Sequence, residues 1–137
     1  MSLQYSTTVR NAQLDALETA VGVSAILKIY DLTAGAPANC AAAITGTVLA
    51  TLNLPSDWMA AASAGSKAMS GTWQDASADA AGVADFFRLF ASDGTTCHAQ
   101  GTVTLGGGGG DMTLDNTNIT AGQSVTVTSF AISAGNA

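Results

Sequence analysis

Charge is scarce in this chain. Of 137 residues, four are lysine or arginine and ten are aspartate or glutamate, a formal charge of −6. The cations Arg10, Lys28, Lys67 and Arg88 are scattered rather than clustered. Nucleic-acid affinity rests on grouped Lys and Arg neutralising phosphates, so neither DNA nor RNA is an expected partner. The same shortage argues against an anionic membrane surface. No apolar run reaches the length of about twenty residues that a membrane helix needs. The opening MSLQYSTTVRNAQ lacks the basic start and apolar core of a secretion signal, which makes a cytoplasm the expected place of synthesis.

Nucleophiles and metal ligands are equally sparse. The chain has two cysteines, Cys40 and Cys97, and one histidine, His98. In a cytoplasm the default is two reduced thiols, and contact between them stays open at this stage. Without a Cys-x-x-Cys spacing, two cysteines and a histidine fall short of a tetrahedral zinc site unless a carboxylate joins them. Any hydrolytic triad would have to use His98. Cys97 and His98 are strand neighbours and are expected to face opposite ways, which separates nucleophile from base. The carboxylates Asp75, Asp79, Asp85, Asp93, Asp111 and Asp115 fall mostly in loops, where aspartate caps turns. Neither DLTAGAPANC nor DGTTCHAQ matches a calcium loop. The expectation is no catalytic residue, no metal and no cofactor, and so no enzyme.

Glycine is the exception to this sparseness, with five in a row in TLGGGGGDMT, residues 104–113. A phosphate loop requires lysine and Ser/Thr after its last glycine and then a helix. Here Gly110 is followed by Asp111, Met112 and Thr113, and the period-two pattern of DMTLDN continues as strand. The dinucleotide fingerprint fails as well, because Asp111 occupies its third glycine position counted from Gly106. The run reads as a flexible connection between two strands, gaining order only against a neighbouring subunit.

Periodicity supplies the fold. In STTVRNAQLDALETAVG, Leu14, Leu17 and Val21 recur at helical spacing with Arg10 one turn earlier on the same side. Ser6 or Thr7 can cap the start, and Gly22 suits the end. After Gly22 the period drops to two. SAILKIYD sets Ala25, Leu27 and Ile29 against Ile26, Lys28 and Tyr30. TGTVLATLNL puts Val48, Ala50, Leu52 and Leu54 together. PSDWMAAASAGS reads as a short helical turn plus loop, and KAMSGTWQ as a strand. VADFFRLFAS is apolar on both sides and belongs at the centre of a sheet. TTCHAQGTVTL places Cys97, Ala99, Gly101, Val103 and Leu105 inward. In SVTVTSFAIS, Val125 and Val127 lie on one parity and Phe130 and Ile132 on the other, which predicts a bulge near Thr128 and Ser129.

The pattern is that of a mainly β protein. It predicts an antiparallel β-sandwich or jelly-roll-like domain of about seven to eight strands with one N-terminal α-helix. A single domain over 1–137 is expected, with the helix at 5–21 and the sandwich at 23–137. Trp58 and Met59 read first as a loop anchor folded back onto the core. The alternative is a contact knob for a neighbouring subunit, with Leu14 and Leu17 of the helix as a second contact.

In the order of its segments, the chain resembles small virion proteins of tailed bacteriophages. VRNAQLDALETAVG leads into SAILKIYDLTAGAPANCAA, then GTVLATLNLP, FFRLFASDGTTCHAQGTV and GGDMTLDNTNITAGQSVTVTSFAIS. The resemblance implies a structural protein of the phage particle. Acidity favours the outer surface of the head over the packaged DNA, which makes a capsid decoration, or cement, protein the leading expectation. Its partners would be the major capsid protein and further copies of itself, and its location the virion surface. The alternatives are a neck, head–tail connector or tail component, and a sugar-binding β-sandwich. A sugar platform needs exposed aromatics, and Trp73 with Phe86 or Phe87 are the candidates, although strand parity assigns them to the core.

Overall fold

The computed structural model describes residues 1–32 and 34–137. Among the described residues there is one helix, α1, which runs Thr7–Val21. It starts two residues later than expected because Ser6 is extended and caps it, its hydroxyl accepting from Val9 N at 3.2 Å. Tyr5 lies outside the helix and donates its N–H to Asn136 O at 2.6 Å. Gly22 ends the helix at φ +81°, with its N–H on Glu18 O.

The strands are β1 (Ile26–Leu32), β2 (Gly46–Asn53), β3 (Ser66–Ala68), β4 (Gln74–Asp75), β5 (Gly82–Val83), β6 (Phe86–Phe90), β7 (Cys97–Leu105), β8 (Met112–Leu114), β9 (Asn118–Ile119) and β10 (Val125–Ser133). The main sheet runs β2-β1-β6-β7-β8-β10-β3, with β4 also on β10 and β5-β9 forming a small second sheet. β7 links the two halves. Residues up to Thr102 pair with β6, and Val103–Leu105 pair with β8. The halves face each other across an apolar core, where Phe87 meets Phe130 edge-on at 5.7 Å between ring centroids. Trp73 lies between Phe130 and Trp58, at 5.6 Å and 6.0 Å. The result is a β-sandwich-like fold with an N-terminal helix.

Several sequence expectations hold in detail. All five residues of β6 are buried, and the strand sits between β1 and β7. The parity change in β10 is a register shift between Val127 and Ser129. Ala25, Leu27 and Ile29 are fully buried.

Other expectations need correction. The sheet is not wholly antiparallel, since β7 and β8 run parallel, Val103 opposite Met112. In β2 the register slips at Leu49, between the Ile29–Ala50 and Tyr30–Val48 pairs. Leu49 therefore enters the core while Val48 stays partly exposed. Residues 58–70 form no helical turn but a hairpin. Met59 bridges Met69, Ser63 bridges Ser66, and Ala64 and Gly65 turn at φ +51° and +75°. Two consecutive positive φ angles match the twist of a two-residue hairpin turn.

The free edge of β2 is sealed by the end of β4 and the segment that follows it. Thr51 N donates to Asp75 Oδ2 at 3.0 Å, and Asp79 N donates to Leu49 O at 2.7 Å. Such covering removes a template for edge-to-edge aggregation.

Candidate functional site

The helix and the 58–70 hairpin form the first candidate region. Leu14 is 6 % exposed and Leu17 packs on the core, so both anchor α1 to its own domain. Polar contacts reinforce this docking. Arg10 donates twice to Ala134 O, Gly65 N donates to Asn11 Oδ1, and Ala62 N donates to Asp15 Oδ1. Lys67 is buried beneath the helix and bridges Asp15 and Glu18, each at 2.7 Å, with Ala60 O at 2.8 Å. Burial alone would lower the Lys67 pKa, but hydrogen bonds to the two carboxylates outweigh it and hold it above the usual value. The Asp15 carboxyl is held below its usual range, first by the Lys67 hydrogen bond.

Trp58 and Met59 are 0 % and 1 % exposed. Trp58 Nε1 donates to Gly22 O at 3.0 Å, tying the hairpin to the helix C-terminus. Both residues are interior anchors, and neither offers a knob to a neighbour. Between helix and hairpin lies an open cleft of about 520 Å³, rimmed by Asp15, Glu18 and Asp57 with Lys67 at its floor.

The second region is the outer face of β1, β6 and β7, covered by residues 34–45. Arg88 is 5 % exposed. Its guanidinium donates to Gln100 Oε1, Asn39 O and Ala42 O at 3.1, 3.1 and 2.7 Å. The inward placement expected for Cys97 does not hold. A register shift next to Phe90 puts Cys97 opposite Phe90, whereas Ala99 pairs with Leu89. Cys97 therefore shares a face with Arg88, whose acceptors Asn39 O and Ala42 O flank Cys40 in sequence. Burial and the Cys40 thiol push the Cys97 thiol up to about 12, which keeps it mainly protonated near neutral pH while both thiols are free.

The glycine run is the third region. Parallel neighbours ordinarily need a connection of about a dozen residues or more, yet only Gly106–Asp111 separate β7 from β8. The chain manages this by folding back onto β7. Asp111 accepts from Thr102 N and Oγ1 at 2.9 and 3.0 Å, and Gly110 N donates to Thr104 Oγ1 at 3.1 Å. A Cβ on Gly108 or Gly110 would come within 2.7 or 2.9 Å of Thr104. The loop thus has partners inside its own chain, and its glycines permit close backbone approach rather than phosphate binding.

The carboxylates follow one rule. Asp31 accepts from Val83 N, Asp85 from Leu32 N, Asp93 from Thr95 N and Thr96 N, and Asp115 from Thr126 N. With Asp15, Glu18, Asp75, Asp79 and Asp111 already placed, Asp57 alone among the described carboxylates has no hydrogen-bond or ion-pair partner in the chain. No group of three or more His, Cys, Asp or Glu among the described residues could hold a metal ion. No described helix is long and apolar enough to cross a membrane.

Comparison with known proteins returns no matching family model, no matching curated protein and no matching solved structure.

Proposed function

We propose that this chain is a structural protein of a tailed-bacteriophage particle: a capsid decoration protein that binds the outer head surface and stabilises contacts between major capsid subunits. The observation that carries this reading is the internal engagement of its four cations. Lys67 and Arg88 are buried, Arg10 is held on Ala134 O, and Lys28 lies 5.1 Å from the Phe90 ring centroid and donates to Gly94 O. The carboxylates chiefly satisfy backbone N–H groups. The exposed surface keeps seven of the ten carboxylates, Asp15, Asp57, Asp79, Asp85, Asp93, Asp111 and Asp115, and is otherwise mainly Ser, Thr, Ala and Gly with separate apolar side chains, among them Leu3, Val9, Val23, Val83 and Leu105.

Such a surface suits contact by shape and hydrogen bonding in many copies, where weak contacts add through multivalency. It suits a sugar platform poorly. Trp58, Trp73, Phe86, Phe87, Phe90, Phe130 and Tyr30 are all buried, so a sugar ring finds none of them to stack on.

The test is a cryo-EM map of intact particles from the source of this chain. Regular density over the capsid faces is the expected result. Density confined to a ring below the portal, or along the tail, would move the protein to the neck or tail class. A particle without the chain would overturn the structural reading altogether.

A further inference from the structure

Residues 34–45 cross from β1 to β2 as a strap over the outer face of β1, β6 and β7. Three hydrogen bonds hold the strap down: Arg88 to Asn39 O and to Ala42 O, and Gln100 Nε2 to Pro37 O at 2.9 Å. These anchors bracket Cys40 in sequence. From the sheet, Cys97 rises on the same face, opposite Phe90 in register. The strap anchors on Arg88 and this register bring both cysteines to one face, close enough for the Cys40 thiol to act on Cys97. Both are reduced and partly exposed, so a small reagent can reach them.

We propose that Cys40 and Cys97 form a redox latch, in which oxidation by a low-molecular-weight disulfide joins the two sulfurs and ties the strap to β7. The strap already holds Cys40 over its partner, so closure needs no refolding of the sheet. Exchange from either thiol ends at the same product. Starting from Cys40, the thiolate attacks the reagent disulfide, forms a mixed disulfide and releases one small thiol. The Cys97 sulfur then attacks the Cys40 sulfur, the second small thiol leaves, and the two protein thiol protons end on the two released thiols. The protein loses two electrons and the reagent disulfide gains them. The new bond closes the chain from residue 40 to residue 97, a long loop whose closure restricts the unfolded chain strongly.

The test equilibrates the full-length protein in glutathione buffers of rising oxidised fraction. Intact mass, thiol alkylation and thermal melting are the readouts. The expected product is a monomer lighter by two hydrogens, with a Cys40–Cys97 linkage in its peptide map and no alkylatable thiol. Its melting temperature should exceed that of the reduced form by roughly 10 °C, reversibly with dithiothreitol. Cys40→Ser and Cys97→Ser should show no such oxidant-dependent rise. Glutathione adducts, disulfide-linked dimers or thiols that remain alkylatable would overturn the proposal. So would an internal disulfide that leaves the melting temperature unchanged or lower. None of these readouts depends on the phage reading.

Discussion

Replacing Trp58 by alanine separates the two meanings that the sequence allows for this residue. As an interior anchor, its ring contacts Trp73 and leaves no exposed surface. A buried tryptophan covers about 200 Å², and at about 25 cal/mol per Å² its removal costs roughly 5 kcal/mol. Truncations of buried aromatics to alanine fall in the range of about 3–5 kcal/mol, cavity included. The lost Nε1 bond leaves Gly22 O unpaired at the helix C-terminus, so the upper part of that range applies. Trp58→Phe keeps most of the apolar area and loses the hydrogen bond, for about 1–2 kcal/mol. The assay is urea denaturation followed by far-UV circular dichroism, with Trp73 fluorescence as a second probe. A surface knob would behave differently, leaving stability within about 0.5 kcal/mol of the parent. If Trp58→Ala unfolds at nearly the parent urea midpoint, the packing of the hairpin under α1 described above is wrong.

Gly110→Ala should cost about 1–3 kcal/mol by overpacking against Thr104, whereas Gly106→Ala, with nothing within 4 Å of the added Cβ, should change stability by less than about 0.5 kcal/mol. Equal urea midpoints for the two variants would refute the tight return between β7 and β8. Arg88→Met removes the donors to Asn39 O and Ala42 O, and amide exchange in residues 38–42 should speed up well beyond that of β6; unchanged exchange would show the strap to be held by something else. In acid, Asp93 is held far below its ordinary value of 3.8 by the Thr96 hydroxyl and then by the Thr96 and Thr95 amides. The folded state then binds fewer protons than the unfolded one, so its contribution is present above about pH 4 and is lost as pH falls further. Asp93→Asn should flatten the acid limb of a melting-temperature profile. In alkali the sign reverses: the unfolded Cys97 ionises from about pH 9 while the folded thiol resists to about 12, so reduced protein should lose stability across that interval, less so in Cys97→Ser.

How much the sequence shows depends on whether the determining contact is local. The Ser6 cap, the Gly22 stop, the doubly buried β6 and the bulge before Phe130 are all local or strictly periodic signals, and each is legible. The hairpin 58–70 is not, because AAASAGS has no apolar alternation. Its turn also places alanine, rather than the usual Asn or Gly, at the first positive φ. The Leu49 and Cys97 register slips escape notice for a related reason. One extra residue in a strand reverses the side that every later residue faces, and only the partner strand reveals where the slip falls. Cys40 and Cys97, 57 positions apart, meet because of the second slip together with the Arg88 anchors.

The charges illustrate the same limit from the other side. In the sequence, fourteen ionisable Lys, Arg, Asp and Glu residues look like a thin surface coat with some capping. In the structure most are fastenings between distant segments. Asp31 reaches Val83, Asp85 reaches Leu32, and Asp75 and Asp79 close the edge of β2. Fastened carboxylates keep their charge, and Asp15, Asp57, Asp79, Asp85, Asp93, Asp111 and Asp115 stay exposed, so the field of the chain remains acidic. A capsid contact made by shape and hydrogen bonding, apart from these groups, should nevertheless depend only weakly on salt. If this protein decorates a capsid, its retention on isolated heads should change little as ionic strength rises from low to near-molar. Stripping by moderate salt would instead reveal an ionic contact, with Asp57 the first carboxylate to test by substitution with asparagine.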